Sequence, residues 1–81
     1  MSVELHTDAG QKAVVFTYDK SKVKGKKIHI HAENAETGDV GTREATNTGS
    51  FVLFYPAGFS GTDHVTVRGA GKSHDEGTVT I

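Results

Sequence analysis

KSKVKGKKIHIHAE, residues 20–33, holds two patterns whose meaning depends on the fold. Five lysines fall between Lys20 and Lys27, and Ile28-His29-Ile30-His31 then alternates apolar with polar. A period of two marks a strand with one face on a core, so Ile28 and Ile30 are predicted to point inward and His29 and His31 outward.

The same period recurs in both directions from this stretch. Val3 and Leu5, Val65 and Val67, and Val79 and Ile81 form further same-face pairs with polar neighbours, and these pairs are the predicted core. No window sustains an i, i+3, i+4, i+7 apolar pattern beyond one turn, so helices are not expected. Strands are predicted over Val3–His6, Ala13–Tyr18, Lys26–Glu33, Val40–Glu44, Ser50–Tyr55, His64–Gly69 and Thr78–Ile81. Between them lie DAG, NAETGD, NTG, PAGFSGTD and GAGKSHDEG, rich in residues that supply positive φ and side-chain-capped turns. Ten glycines and one proline are read as loop punctuation. The exception is Gly25, placed at a bulge or corner between two short strands. The pattern predicts an all-β, antiparallel sandwich of about seven short strands, one domain over residues 1–81.

Two of these strands are unusual. AVVFTY (residues 13–18) and FVLFY (51–55) are apolar on both faces, so each needs cover beyond a two-layer core. In 81 residues with 35% hydrophobic content and no cysteine or tryptophan, neither a disulfide framework nor a cysteine-zinc site adds stability. Cover from a partner is the expectation.

The formal net charge of −1 excludes a global field that would draw the chain onto DNA or an anionic membrane. No nucleic acid is expected as a partner. MSVELHTDAG lacks the apolar stretch of a secretory signal, and FVLFY is far shorter than the roughly 20 residues of a membrane helix. The reading is a soluble chain made in the cytoplasm, without membrane insertion.

GSFVLFYPAGFSGTDHVTVRGAGKSHDEGTVTI, residues 49–81, joins a strand, a corner with Pro56, Phe59 and Gly61, Asp63-x-Val65-x-Val67, a glycine-rich hairpin and a terminal Thr-Val-Thr-Ile. It resembles the last three strands of small immunoglobulin-like sandwiches, such as the modules of tailed-phage capsid and tail proteins and of bacterial surface proteins. The first half of the chain matches by strand count alone. The cysteine pair and core tryptophan of antibody domains are missing, so antibody-like recognition is not implied. The resemblance implies a non-enzymatic virion structural or decoration protein. It would be assembled in the host cytoplasm, dock on capsid or tail protein or on copies of itself, and present loops outward. The alternative is a carbohydrate-binding or cell-surface-binding module of a bacterial surface protein. At the corner, Phe59 is expected to plug the end of the sandwich while Gly58 and Gly61 bend around it, and Asp63 is expected to cap the turn.

Several groups carry candidate chemistry. His29 and His31 share a face, and a neighbouring strand beginning at His64 would add a third imidazole. Zinc would accept such a set at about 2.0–2.1 Å per nitrogen, and a protonating cluster would act as a pH switch; the absence of an H-x-x-x-H or cysteine partner favours histidines that simply decorate a solvated sheet. Lys20, Lys22 and Lys24 fall on one side of an extended segment. They can line a phosphate stripe, dock on an acidic carrier, or protect an edge strand from aggregation. The absence of an interleaved aromatic favours the edge reading.

Asp75-Glu76 and Glu36 with Asp39 do not fit an EF-hand spacing. Ser73-His74-Asp75 contains triad residue types, but adjacent residues point apart, so no enzyme and no cofactor are expected. Tyr18 and Tyr55 complete the set: exposed together they would form a glycan platform, and buried they would favour an assembly role.

Overall fold

The computed structural model describes residues 1–8 and 10–81. It contains β1 (Ser2–Asp8), β2 (Gln11–Thr17), a 3-10 turn (Lys20–Lys22), β3 (Lys27–Asn34), β4 (Val40–Thr46), β5 (Ser50–Tyr55), β6 (Thr62–Arg68) and β7 (His74–Thr80). All pairings are antiparallel, in a three-stranded sheet β1-β2-β5 and a four-stranded sheet β4-β3-β6-β7. The chain crosses between sheets after β2, β4 and β5, giving the predicted all-β sandwich.

The inner faces follow from alternation and register. Val14, Phe16 and Phe51 from the three-stranded sheet meet Ile28, Ile30, Val65, Val67 and Val79 from the other, all buried in one cluster. Phe16 and Phe51 oppose each other across β2 and β5 and stack at 4.9 Å between ring centroids. Stacking of this kind adds about 0.5–1.5 kcal/mol to the burial itself.

Some expectations are corrected by what covers each residue. Val3 and Leu5 pair with Phe16 and Val14, so both are oriented inward. They nevertheless remain 37% and 48% exposed, because β1 borders its sheet and Gly77 of β7, beside which Met1 packs, offers no large side chain opposite. Gly41 and Gly77 lie within strands rather than in turns. β7 begins at His74, earlier than predicted, because Arg68 pairs with His74 across a short turn, which makes Asp75 and Glu76 strand residues.

The lysine run is not an extended edge strand. The Asp19 carboxylate accepts from the Ser21 backbone N–H at 3.0 Å and from Ser21 Oγ at 2.6 Å, starting a 3-10 turn over Lys20–Lys22. Val23 then drops into the core and anchors the loop. Gly25 follows at φ 101°, so it serves as a loop corner rather than a hinge between strands.

Candidate docking groove

Three strands facing four leave one strand position empty beside β5, opposite β4. The inward positions of β4 are Gly41, Arg43 and Ala45, which pair with Ala32, Ile30 and Ile28 of β3. Only Ala45 is half-buried, whereas Gly41 and Arg43 are exposed. The space between β4 and β5 is a cleft of about 1000 Å³, with Ile30, Ala32, Leu53, Tyr55 and Phe59 along its apolar wall. Glu36 and Asp39 stand at one end and Arg43 lies in its course. Pockets of this size with an apolar lining and a few placed polar groups are the usual form of a binding site.

The Tyr55 end is held by a buried polar network. The Tyr55 hydroxyl donates to Asp63 Oδ2 at 2.9 Å, and Asn34 Nδ2 donates to Asp63 Oδ1 at 3.1 Å. Asn34 Oδ1 in turn accepts from the backbone N–H groups of Glu36 and Thr37. Burial, then the hydrogen bond to Asp63 and its negative charge, push the Tyr55 phenol well above its ordinary range. Phe59 packs on Tyr55 at 4.8 Å and closes the end of the sandwich, as the corner predicted. Asp63 is not the expected turn cap; its carboxylate faces inward to hold Tyr55 and Asn34.

The other long side of the cleft is β5's free edge. Tyr18 N donates to Gly49 O, which fixes the parity of the β2–β5 ladder. The backbone groups of Phe51, Leu53 and Tyr55 therefore point to β2, and those of Ser50, Val52 and Phe54 point away from it. The Arg43 guanidinium reaches across to donate to the Val52 carbonyl.

A second apolar feature adjoins this edge. On the outer face of the three-stranded sheet, Ala13 pairs with Phe54 and Val15 with Val52. Phe54 is 62% exposed, and the other three are half-buried. The two-faced apolarity of β2 and β5 thus leaves a stripe on the surface that ends at the lip of the cleft.

The residues singled out from sequence are distributed elsewhere. His29, His31 and His64 all lie on the outer face of the four-stranded sheet, but register separates them: His29 opposes Glu44 and Arg68, His31 opposes Thr42 and Thr66, and His64 opposes Glu33 and Thr78. His29 Nδ1 lies 3.6 Å from Glu44 Oε2. Among the described residues no group of three or more could hold a metal ion.

Lys20, Lys22 and Lys24 sit on or after the 3-10 turn, so no straight stripe of charge forms. Ser73 Oγ accepts from Lys24 N and donates to Ala70 O, His74 Nδ1 faces Lys72 O, and Asp75 accepts from Asp19 N. Those three residues turn to separate partners.

Tyr18 and Tyr55 are 4% and 8% exposed, so they form no platform. The Tyr18 hydroxyl donates to Asn47 Oδ1 at 2.6 Å and accepts from Gly49 N at 3.0 Å, while Asn47 Nδ2 donates to the carbonyls of Val23 and Gly25. This clamp ties the lysine loop to the β4–β5 turn.

Sequence reasoning found the apolar outer face but missed the cleft. Its trace in the sequence is the inward set Gly41, Arg43 and Ala45, a series too small and polar for a covered strand. Comparison with protein-family models, with curated proteins and with solved structures returns no match for this chain.

Proposed function

We propose that this chain is a non-enzymatic assembly module, an immunoglobulin-like sandwich that docks on a larger protein assembly such as a phage capsid or tail and presents its loops outward. The observation that carries this reading is the joined apolar surface: the cleft between β4 and β5 runs into the stripe of Ala13, Val15, Val52 and Phe54. Exposed contiguous apolar surface of this kind marks interaction sites on soluble domains. The burial of Tyr18 and Tyr55 further supports assembly over sugar recognition, because stacking on a sugar needs exposed rings. A bacterial surface protein is the alternative setting, and it would use the same face.

Size-exclusion chromatography with light scattering tests the proposal at micromolar protein, alone and with purified phage capsid or tail proteins. Co-elution that weakens for Phe54→Ser is the expected result. A chain that stays a monomer and ignores every such protein contradicts it.

A further inference from the structure

We infer that the cleft is a strand-accepting site: an extended segment of a partner protein pairs antiparallel with β5, becomes the fourth strand of the three-stranded sheet and covers β4. This rests on the docking reading above and names the form of the partner.

The outward-directed backbone of β5 gives the first argument. Val52 and Phe54 direct N–H and C=O groups away from β2 at every second residue, and such a row is matched by another extended backbone. Arg43 already supplies a donor to the Val52 carbonyl, in the place where a strand's N–H would stand.

Room gives the second argument. Gly41 and Arg43 leave the inner face of β4 uncovered, and nothing lies within 4 Å of a Cβ built at Gly41. Alternate side chains of the incoming strand would point into this space, above Ala32 and beside Leu53 and Phe59, so apolar residues are required at every second position.

Charge fixes the rest. Glu36 and Asp39 stand at the Tyr55 end of the cleft, and β4 starts there at Val40. A strand antiparallel to β5 enters at that end, so its first residues carry positive charge. The β1 edge of a second copy does not meet this requirement: it offers Val3 and Leu5 in alternation, but no lysine or arginine from Ser2 to Asp8.

The test is titration of the isotope-labelled protein with a synthetic heptapeptide that alternates valine with threonine behind an N-terminal lysine. The Val52 and Phe54 amides should exchange about tenfold more slowly with peptide bound, while the Phe51 and Leu53 amides, already bonded, change little. A peptide N-methylated at the positions facing β5 should give no protection. Gly41→Leu should keep the native spectrum and lose peptide binding, and Glu36→Lys with Asp39→Lys should weaken it.

Absence of protection at Val52 and Phe54 would overturn the inference, as would equal binding by Gly41→Leu or by the N-methylated peptide. So would protection that appears without peptide and grows with protein concentration, since it identifies a second copy as occupant. If Gly41→Leu still co-elutes with an assembly that the wild type binds, the docking reading stands and the strand inference alone falls.

Discussion

At the scale of single residues, the two tyrosines show how polar tips are kept in a small core. Tyr18 and Tyr55 each bury a ring and satisfy the hydroxyl on a neighbouring side chain, Asn47 at one and Asp63 at the other. Tyr18→Phe leaves Asn47 Oδ1 and the Gly49 amide without their partner, at an expected cost of about 1–3 kcal/mol in a denaturant titration. Gly69 shows a different constraint. A Cβ there would stand 2.2 Å from the Lys24 carbonyl oxygen and 2.8 Å from its nitrogen, both backbone atoms. Gly69→Ala must therefore push the lysine loop away from the β6–β7 turn. It is expected to lower the melting temperature more than Gly71→Ala despite the ordinary backbone conformation at Gly69, since only open space surrounds a Cβ at Gly71. The residue types leave Tyr18 and Tyr55 open between an exposed glycan platform and a buried pair, give no sign of their hydroxyl partners, and mark Gly69 only as a turn glycine.

At the scale of elements, alternation predicted which way side chains point, and what they meet was decided by the opposite sheet. Ile28, Ile30, Val65 and Val67 were legible because their strands lie under a partner. Val3 and Leu5 show the same alternation at a sheet border, where nothing large covers them. Leu5→Thr is accordingly expected to cost less than about 1 kcal/mol, against about 3–5 kcal/mol for Phe16→Ala in the packed centre; paired denaturant curves compare them. The lysine run failed as a strand for a local reason, since the Asp19-Ser21 hydrogen bonds hold its first residues in a 3-10 turn rather than an extended segment. The β4 pattern had the opposite fault: its inward Gly41, Arg43 and Ala45, two small residues and one charged, concealed an empty strand position, and that position makes the candidate site.

At the scale of the whole molecule, two buried acids set opposite limits on stability. Asp75 is held below its ordinary value of 3.8, first by the Asp19 backbone N–H and also by the Glu76 N–H and the N-terminal ammonium. Its stabilisation is present above that ordinary value and is lost as pH falls toward the lower folded-state pKa. Tyr55 is raised above its ordinary 10.0, so its contribution is complete below pH 10 and disappears as pH rises from there, when the unfolded chain ionises first. Urea midpoints measured against pH should decline on both sides, and Tyr55→Phe should reduce the alkaline decline while leaving the acid one.

The sandwich itself was legible in the sequence because seven alternating segments with turn residues between them leave few other architectures. The docking face was half legible. The apolar outer sides of β2 and β5 stand in the sequence, whereas the cleft arises only when three strands are set against four. Hydrogen exchange footprinting of the chain bound to a capsid or tail assembly tests this face most directly. Slowed exchange is expected along Val40–Arg43 and at Val52 and Phe54; protection confined to the outer face bearing His29, His31 and His64, with the cleft still exchanging freely, would contradict it.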